Sequence, residues 1–171
     1  MSTSRTESSR EEADIMKGIF TVLVENRDGV LSGISGLFAR RGFNIDTLAV
    51  GETENHEISR MTITSTGDQR TIDQIEKQLN KSVDVIKVRR LSEAKSVCLE
   101  MLLAKVAYNA GNRTSLIELC QVMEAKVMKV TPKYMLVEYH SEPDNVDDFI
   151  HLIKGFGIIE IQRTGTIAME K

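Results

Sequence analysis

Two small α+β units in tandem, each laying two helices on one face of a four-stranded antiparallel sheet, are what this sequence predicts. Three observations point there. The chain has 171 residues, enough for two domains of about 75 residues each. Short runs of β-branched and aliphatic residues alternate with runs whose apolar positions recur at helical spacing. The order of those runs, strand, helix, strand, strand, helix, strand, occurs twice, although residue identity between the halves is slight.

In the first half, GIFTVLVE at 18–25 reads as a strand that ends at a turn signal, Asn26-Arg27-Asp28-Gly29. Val30, Leu31, Ile34, Leu37 and Phe38 mark one face of a helix, with Arg40 and Arg41 in its last turn and Gly42 as its stop. FNIDTLAV at 43–50 reads as the second strand, 51–57 as a polar hairpin and ISRMTITS at 58–65 as the third strand. Gly67-Asp68 opens a helix with Ile72, Ile75 and Leu79 on one stripe. VDVIKVRR at 83–90 is the fourth strand, alternating Val83, Val85 and a residue near Val88.

The repeat begins after 91–95 with a strand at 97–108 (VCLEMLLAKVAY) and a turn at Asn109-Ala110-Gly111-Asn112. Leu116, Ile117, Cys120 and Met123 give a helix over 113–125, and 126–140 forms two strands broken near Thr131-Pro132. Val146, Phe149, Ile150 and Ile153 mark a helix over 144–154, stopped by Gly155, and one last strand occupies 157–169. Each half is thus a split βαβ unit, the ferredoxin-like βαββαβ pattern. The division is a disordered tail at 1–16, a first domain at 17–92 and a second at 96–171. Helices on one face leave the other sheet face and the outer strands to be covered, so side-by-side pairing of two copies is expected.

Composition narrows the function. A net charge of -3 with interspersed signs argues against a nucleic-acid partner, which calls for a basic face. No run approaches the eighteen or so apolar residues that span a bilayer, and MSTSRTESSREEADIM lacks the apolar core of a signal peptide. Cys98 and Cys120 are far apart and read as two buried thiols of a reducing cytoplasm. His56, His140 and His151 are not at ligand spacing to one another or to a cysteine, so no metal site is expected. No nucleophile elbow, Walker loop or dinucleotide fingerprint is present, and no catalytic residues are assigned. Asp144, Asp147 and Asp148 read as a solvated cluster at a helix start. Met101, Met123, Met128, Met135 and Met169 read as core packing.

The turn at Asn26–Gly29 has two readings. In one, Asp28 caps the helix and Gly29 eases the bend. In the other, the N–H groups of the helix start receive a carboxylate, oxygens of Asn26 and Asp28 meet an ammonium group, and Val30 and Leu31 offer apolar contact. Those are the parts needed to hold a free apolar amino acid.

The residues also resemble a known family. VLVENRDGVLSGISGLFARRGFNIDTLAVGETE is similar to the start of the ACT domain of amino-acid-responsive regulators. More closely, it resembles the small regulatory subunit of acetolactate synthase (acetohydroxyacid synthase). The likeness continues through Ser59-Arg60-Met61-Thr62 and GDQRTIDQIEKQLNKSVDVIKV at 67–88, and later through LLAKV, VTP and EIQRTGTIAM. It covers about 18–169, and its segments 38–44 and 74–88 go beyond a generic ACT domain.

That resemblance implies a cytoplasmic chain without activity of its own. It implies association with a thiamine-diphosphate-dependent catalytic (large) subunit, activation of it, and feedback inhibition by branched-chain amino acids, valine foremost, with leucine or isoleucine as relatives. It implies no cofactor on this chain, with thiamine diphosphate, Mg and FAD on the catalytic partner. It implies a homodimer through the N-terminal ACT domains, with the effector at their interface. The effector-binding residues would be Asn26, Asp28, Gly29, Val30 and Leu31, faced by the partner's Asn44 and Ile45 at the start of the second strand. The second domain departs from the family where Leu99, rather than an arginine, precedes Glu100. Its turn at 109–112 has a glycine but no acid and no aliphatic pair, so no second effector site is expected there. A stand-alone tandem ACT sensor controlling another partner, and an enzyme with an unrecognised site, are the competing readings.

Overall fold

The computed structural model describes residues 14–171, so the tail expected at 1–16 falls almost wholly outside the described residues. The first unit runs β1 (Met16–Glu25), α1 (Val30–Arg41), β2 (Thr47–Glu52), β3 (Ile58–Gly67), α2 (Gln69–Asn80) and β4 (Val85–Leu91). Its sheet has the order β2-β3-β1-β4, with every neighbour antiparallel. β1 takes a central place because it is apolar on both faces. Phe20, Val22 and Val24 turn towards the helices, where they meet Ile34, Phe38, Ile72, Ile75 and Leu79 in one core. Each such buried side chain contributes about 1.5–3 kcal/mol.

The second unit runs β5 (Ser96–Ala107), α3 (Arg113–Val122), β6 (Lys126–Val130), β7 (Tyr134–Ser141), α4 (Pro143–Ile153), β8 (Ile158–Arg163) and β9 (Ile167–Glu170). A single 3-10 turn, Glu93–Lys95, joins the two units. Leu102, Ala104 and Val106 of β5 pack on Leu116, Cys120, Val146 and Phe149 in a second core. Two helices cover one face of each sheet, as the α+β tandem pattern requires.

Several boundaries differ from the sequence reading. Gly42, at φ 70°, ends α1 by returning backbone N–H groups to the carbonyls of Ala39 and Phe38. Phe43 then meets the Phe38 ring edge-on at 6.0 Å. This closure uses up 43–46, so β2 begins at Thr47, and Asn44 and Ile45 lie in the connector before it. Val83 is 92% exposed because a turn bonded from the Val85 N–H to the Ser82 carbonyl precedes β4. The single strand expected at 157–169 is two, broken at Gly165 (φ 78°). Of the five methionines expected inside, Met135 is buried and Met123 packs on the second core, but Met101, Met128 and Met169 are exposed. Met101 lies on the face of β5 opposite Leu102, and Met128 sits where β6 slips against β7. Met169 pairs with the exposed Val97.

The break at Gly165 sends β9 back to pair with the first half of β5, while the second half of β5 pairs with β7 and β8. The β5–β9 ribbon lies against the helix-free face of the first sheet, where Ala168 and the half-buried Cys98 meet Ile19 and Leu91. Gly165 is seated so closely that a Cβ on it would stand 3.3 Å from Thr47 Cβ and 3.4 Å from the Leu48 carbonyl oxygen. Beside this seam, buried Glu100 grips Arg163 with both oxygens, at 2.5 and 2.9 Å. Asp147, expected as a plain solvated acid, takes the same guanidinium at 2.7 Å, and these partners hold Arg163 well above the ordinary arginine range. Among the described residues no helix is long and apolar enough to cross a membrane.

Candidate functional site

The β1–α1 turn is held from one side. Asn26 donates its backbone N–H to the Glu57 carbonyl at 2.7 Å and its side-chain amide to the His56 carbonyl at 2.8 Å and to Glu52 Oε1 at 3.3 Å. Glu52 also pairs with His56 Nδ1 at 2.7 Å. The Asn26 side chain therefore pins the turn to the β2–β3 hairpin. Glu52 and His56 are the members of this site that the sequence reading missed, since a polar hairpin carries no periodic signal. Arg27 bridges outward to Glu25 at 2.9 Å and to Asp84, and these acids hold its guanidinium above the ordinary range, Asp84 foremost.

Asp28 does not cap the helix. The residue at the cap is Gly29, in the left-handed region at φ 84°, and no side chain accepts a hydrogen bond from the first turn. The physical reason is the bend itself: with Gly29 rather than Asp28 at the cap, no side chain stands there to accept. By contrast Asp68 caps α2, accepting from the Thr71 N–H at 2.7 Å. At α1, among the described residues, no backbone carbonyl or side chain takes the N–H groups of Gly29, Leu31 or Ser32. The space beside the Gly29 Cα is empty to 4 Å. An exposed helix start with open donors and no Cβ in front is a ready receptor for a carboxylate.

The apolar pair divides. Val30 is buried in the core and offers only its backbone, whereas the Leu31 side chain is 46% exposed beside the turn. Asn44 is exposed, its amide bonded to Asp46 Oδ1 at 2.6 Å and its carbonyl accepting from Ser65 Oγ. Asp46 Oδ2 accepts from Thr66 Oγ1 at 2.7 Å. Ile45 packs partly on the first core.

One chain does not bring these two groups together. α1 separates them with its 12 residues, about 18 Å of helix. Both β1 and β2 are antiparallel to β3, so β2 starts at the far end of the sheet and finishes at Glu52, beside Asn26. β2 is also the outer strand of its sheet, with an unpaired edge in the chain.

The corresponding turn of the second unit is closed upon itself. Asn109 Oδ1 accepts from the N–H groups of Gly111 and Asn112, and Asn112 Oδ1 accepts from that of Asn109. Among the described residues no group of three or more His, Cys, Asp or Glu side chains stands ready to hold a metal ion.

Comparison with known proteins bears on what this arrangement serves. Residues 20–87 match the family described as the AHAS small subunit-like ACT domain, and 99–171 match that described as the small subunit of acetolactate synthase. A probable acetolactate synthase small subunit of Methanothermobacter thermautotrophicus is 43% identical over 90% of this chain and 92% of its own. The acetolactate synthase small subunit of Haemophilus influenzae is 40% identical over 91% and 96%. The crystal structure of the acetolactate synthase small subunit from Thermotoga maritima superposes with a TM-score of 0.84 at 35% identity, covering 91% of this chain and 98% of that one. With such likeness carried through both units, the chain belongs to the acetolactate synthase small-subunit family, and its N-terminal unit is that family's ACT domain.

Proposed function

We propose that this chain works in the cytoplasm as the regulatory partner of a thiamine-diphosphate-dependent catalytic subunit, raising its activity and making it answer to valine or a related branched-chain amino acid. The observation that carries the reading is the uncapped start of α1 at Gly29, with its open N–H groups. In this reading the effector carboxylate sits on those donors and its ammonium group meets oxygens of Asn26 and Asp28. Its aliphatic side chain lies against Leu31.

The second wall comes from another copy. Two chains paired antiparallel at their β2 edges about a two-fold axis would form one continuous sheet. The connector into β2 in one chain, with Asn44 and Ile45, would then face the end of β2 in the other. Asn26 is bonded to Glu52 at that end, which supports a site completed across the interface. Burial of the effector side chain supplies on the order of 2 kcal/mol, so discrimination among valine, leucine and isoleucine is modest. Coupling to the catalytic subunit of about 1–3 kcal/mol follows if the effector contacts the two arrangements of the dimer differently. Thiamine diphosphate, Mg and FAD belong to the catalytic subunit here.

Reconstitution with the catalytic subunit tests this. Addition of the chain is expected to raise acetolactate formation, and valine to lower it again. Gly29→Asp and Asn44→Ala are each expected to relieve the inhibition. Unchanged inhibition in both variants would remove the site assignment. Valine binding without any effect on the catalytic subunit would favour a stand-alone sensor.

A further inference from the structure

The helix-free face of the first sheet carries charges that the effector site does not use. Strand register sets Arg60, Leu23 and Lys87 in one row across β3, β1 and β4, and Thr62, Thr21 and Arg89 in the next. The row beyond, with Ile19 and Leu91, lies under Ala168 of β9. The ribbon therefore leaves the first two rows open. Met169, Glu170 and Lys171 instead form one wall of a bowl of about 400 Å3 above them. Its floor is the half-buried Leu23, and Arg60, Lys87 and Arg89 stand exposed around it.

These cations are poorly balanced. Glu170 takes Arg89 at 2.8 Å. Glu25 and Asp84, at the same end of the sheet, are both engaged by Arg27, and Glu52, which lines the neighbouring hollow with Arg60, is engaged by His56 and Asn26. Among the described residues Arg60 and Lys87 have no acidic partner. In a chain of net charge -3, a bowl that gathers four cations, Arg60, Lys87, Arg89 and Lys171, against the one acid Glu170 is set against the average. A concave cationic surface concentrates anionic groups. Size narrows the occupant. Arg60 and Lys87 stand on strands two spacings apart, about 10 Å. A single carboxylate or phosphate does not fill that span, whereas a segment presenting several acids does.

We infer that this bowl docks an acidic segment of the catalytic subunit, with an apolar side chain of that segment set on Leu23. The inference rests on the regulatory-subunit reading and adds to it a surface away from the effector turn. The test measures binding of the full-length chain to the catalytic subunit at low and high salt, for wild type and for the Arg60→Glu/Lys87→Glu double variant. Wild-type affinity is expected to fall with salt. The double variant is expected to bind about 10- to 100-fold more weakly at low salt, with the difference shrinking at high salt. Its thermal melt and its calorimetric titration with valine are expected to match wild type.

Equal affinity and an equal salt dependence in the double variant overturn the inference. If the reversal disturbs folding, the Arg60→Gln/Lys87→Gln variant decides: an intermediate loss of affinity supports the bowl, and no loss overturns it. A wild-type chain that fails to bind the catalytic subunit overturns the regulatory reading and the docking surface with it. Pyrophosphate that raises the melting temperature of wild type but not of the double variant, with subunit binding equal in both, assigns the bowl to a free anion and overturns the inference.

Discussion

Gly29 and Asn44 lie at opposite ends of α1, about 18 Å apart along its 12 residues, so an effector that touches both must touch two chains. This geometry permits a complementation experiment. Gly29→Asp sets a carboxylate about 4 Å from that of the effector, which at an effective dielectric near 20, less exposure, costs about 2–4 kcal/mol. Its Kd for valine should rise from about thirtyfold to nearly a thousandfold. Asn44→Ala removes one charge-assisted hydrogen bond, about 1.5–3 kcal/mol. Each variant alone is expected to bind valine poorly. When the two are refolded together in equal amounts, random pairing makes about half of the dimers mixed. In a mixed dimer one site combines both damaged walls and the other combines both intact walls. About a quarter of the wild-type sites should therefore return, at wild-type affinity, in a calorimetric titration. A mixture with no tight sites, beside a wild-type control that binds fully, would refute the shared site.

Three further outcomes follow from the seam and the caps. Gly165→Ala should lower stability by about 1–3 kcal/mol in urea titrations, because φ is 78° and the new Cβ would stand 3.3 Å from Thr47 Cβ. Glu100→Ala should cost about 2–4 kcal/mol, since Arg163 would keep only Asp147 where it now has three oxygen contacts; the urea midpoint reads this directly. Hydrogen bonds from Thr71 hold the Asp68 carboxyl below the usual range, so its stabilising effect is present above the unfolded-state pKa and fades as pH falls through the lower folded-state value. Asp68→Asn keeps the cap and removes the titration, so urea midpoints measured from pH 7 down to pH 3 should fall less steeply than in wild type.

Helix faces were the most legible part of the fold. Ile72, Ile75 and Leu79, and Val146, Phe149 and Ile153, recur at helical spacing and all are buried. Strand ends were less so. Phe43 is as apolar as a strand residue, but the cap at Gly42 turns its ring onto Phe38, a tertiary contact that no window of sequence contains. The methionines misled for a related reason. Alternation gives two faces without saying which is inward, and Met101 falls on the one opposite Leu102. At the β1–α1 turn, the bend at Gly29 was legible because a glycine before an aliphatic pair is a local signal. The grip of Asn26 on Glu52 and the His56 carbonyl spans 26 and 30 residues and belongs to the folded sheet alone.

The two units share an order of elements and differ in the chemistry of one turn, which is why fold by itself does not assign their roles. In the second unit Asn109 and Asn112 spend their side-chain oxygens on the turn's own N–H groups, leaving a closed loop. In the first, Gly29 has no side chain to spend and its own N–H stays open; the helix starts themselves are alike, since neither α1 nor α3 carries a side-chain cap. Open donors at the surface are hydrated at little cost, yet they bind an anion better than water because the helix holds them in one direction. The connector into β2 would join such a site to the second unit. Asn44 is bonded to Asp46, and the next residues, Thr47 and Leu48, are those on which Gly165 rests. An effector that draws Asn44 away from Asp46 would thus act within a few residues of the seam. A second unit whose own turn is closed could in this way still be moved by a ligand on the first.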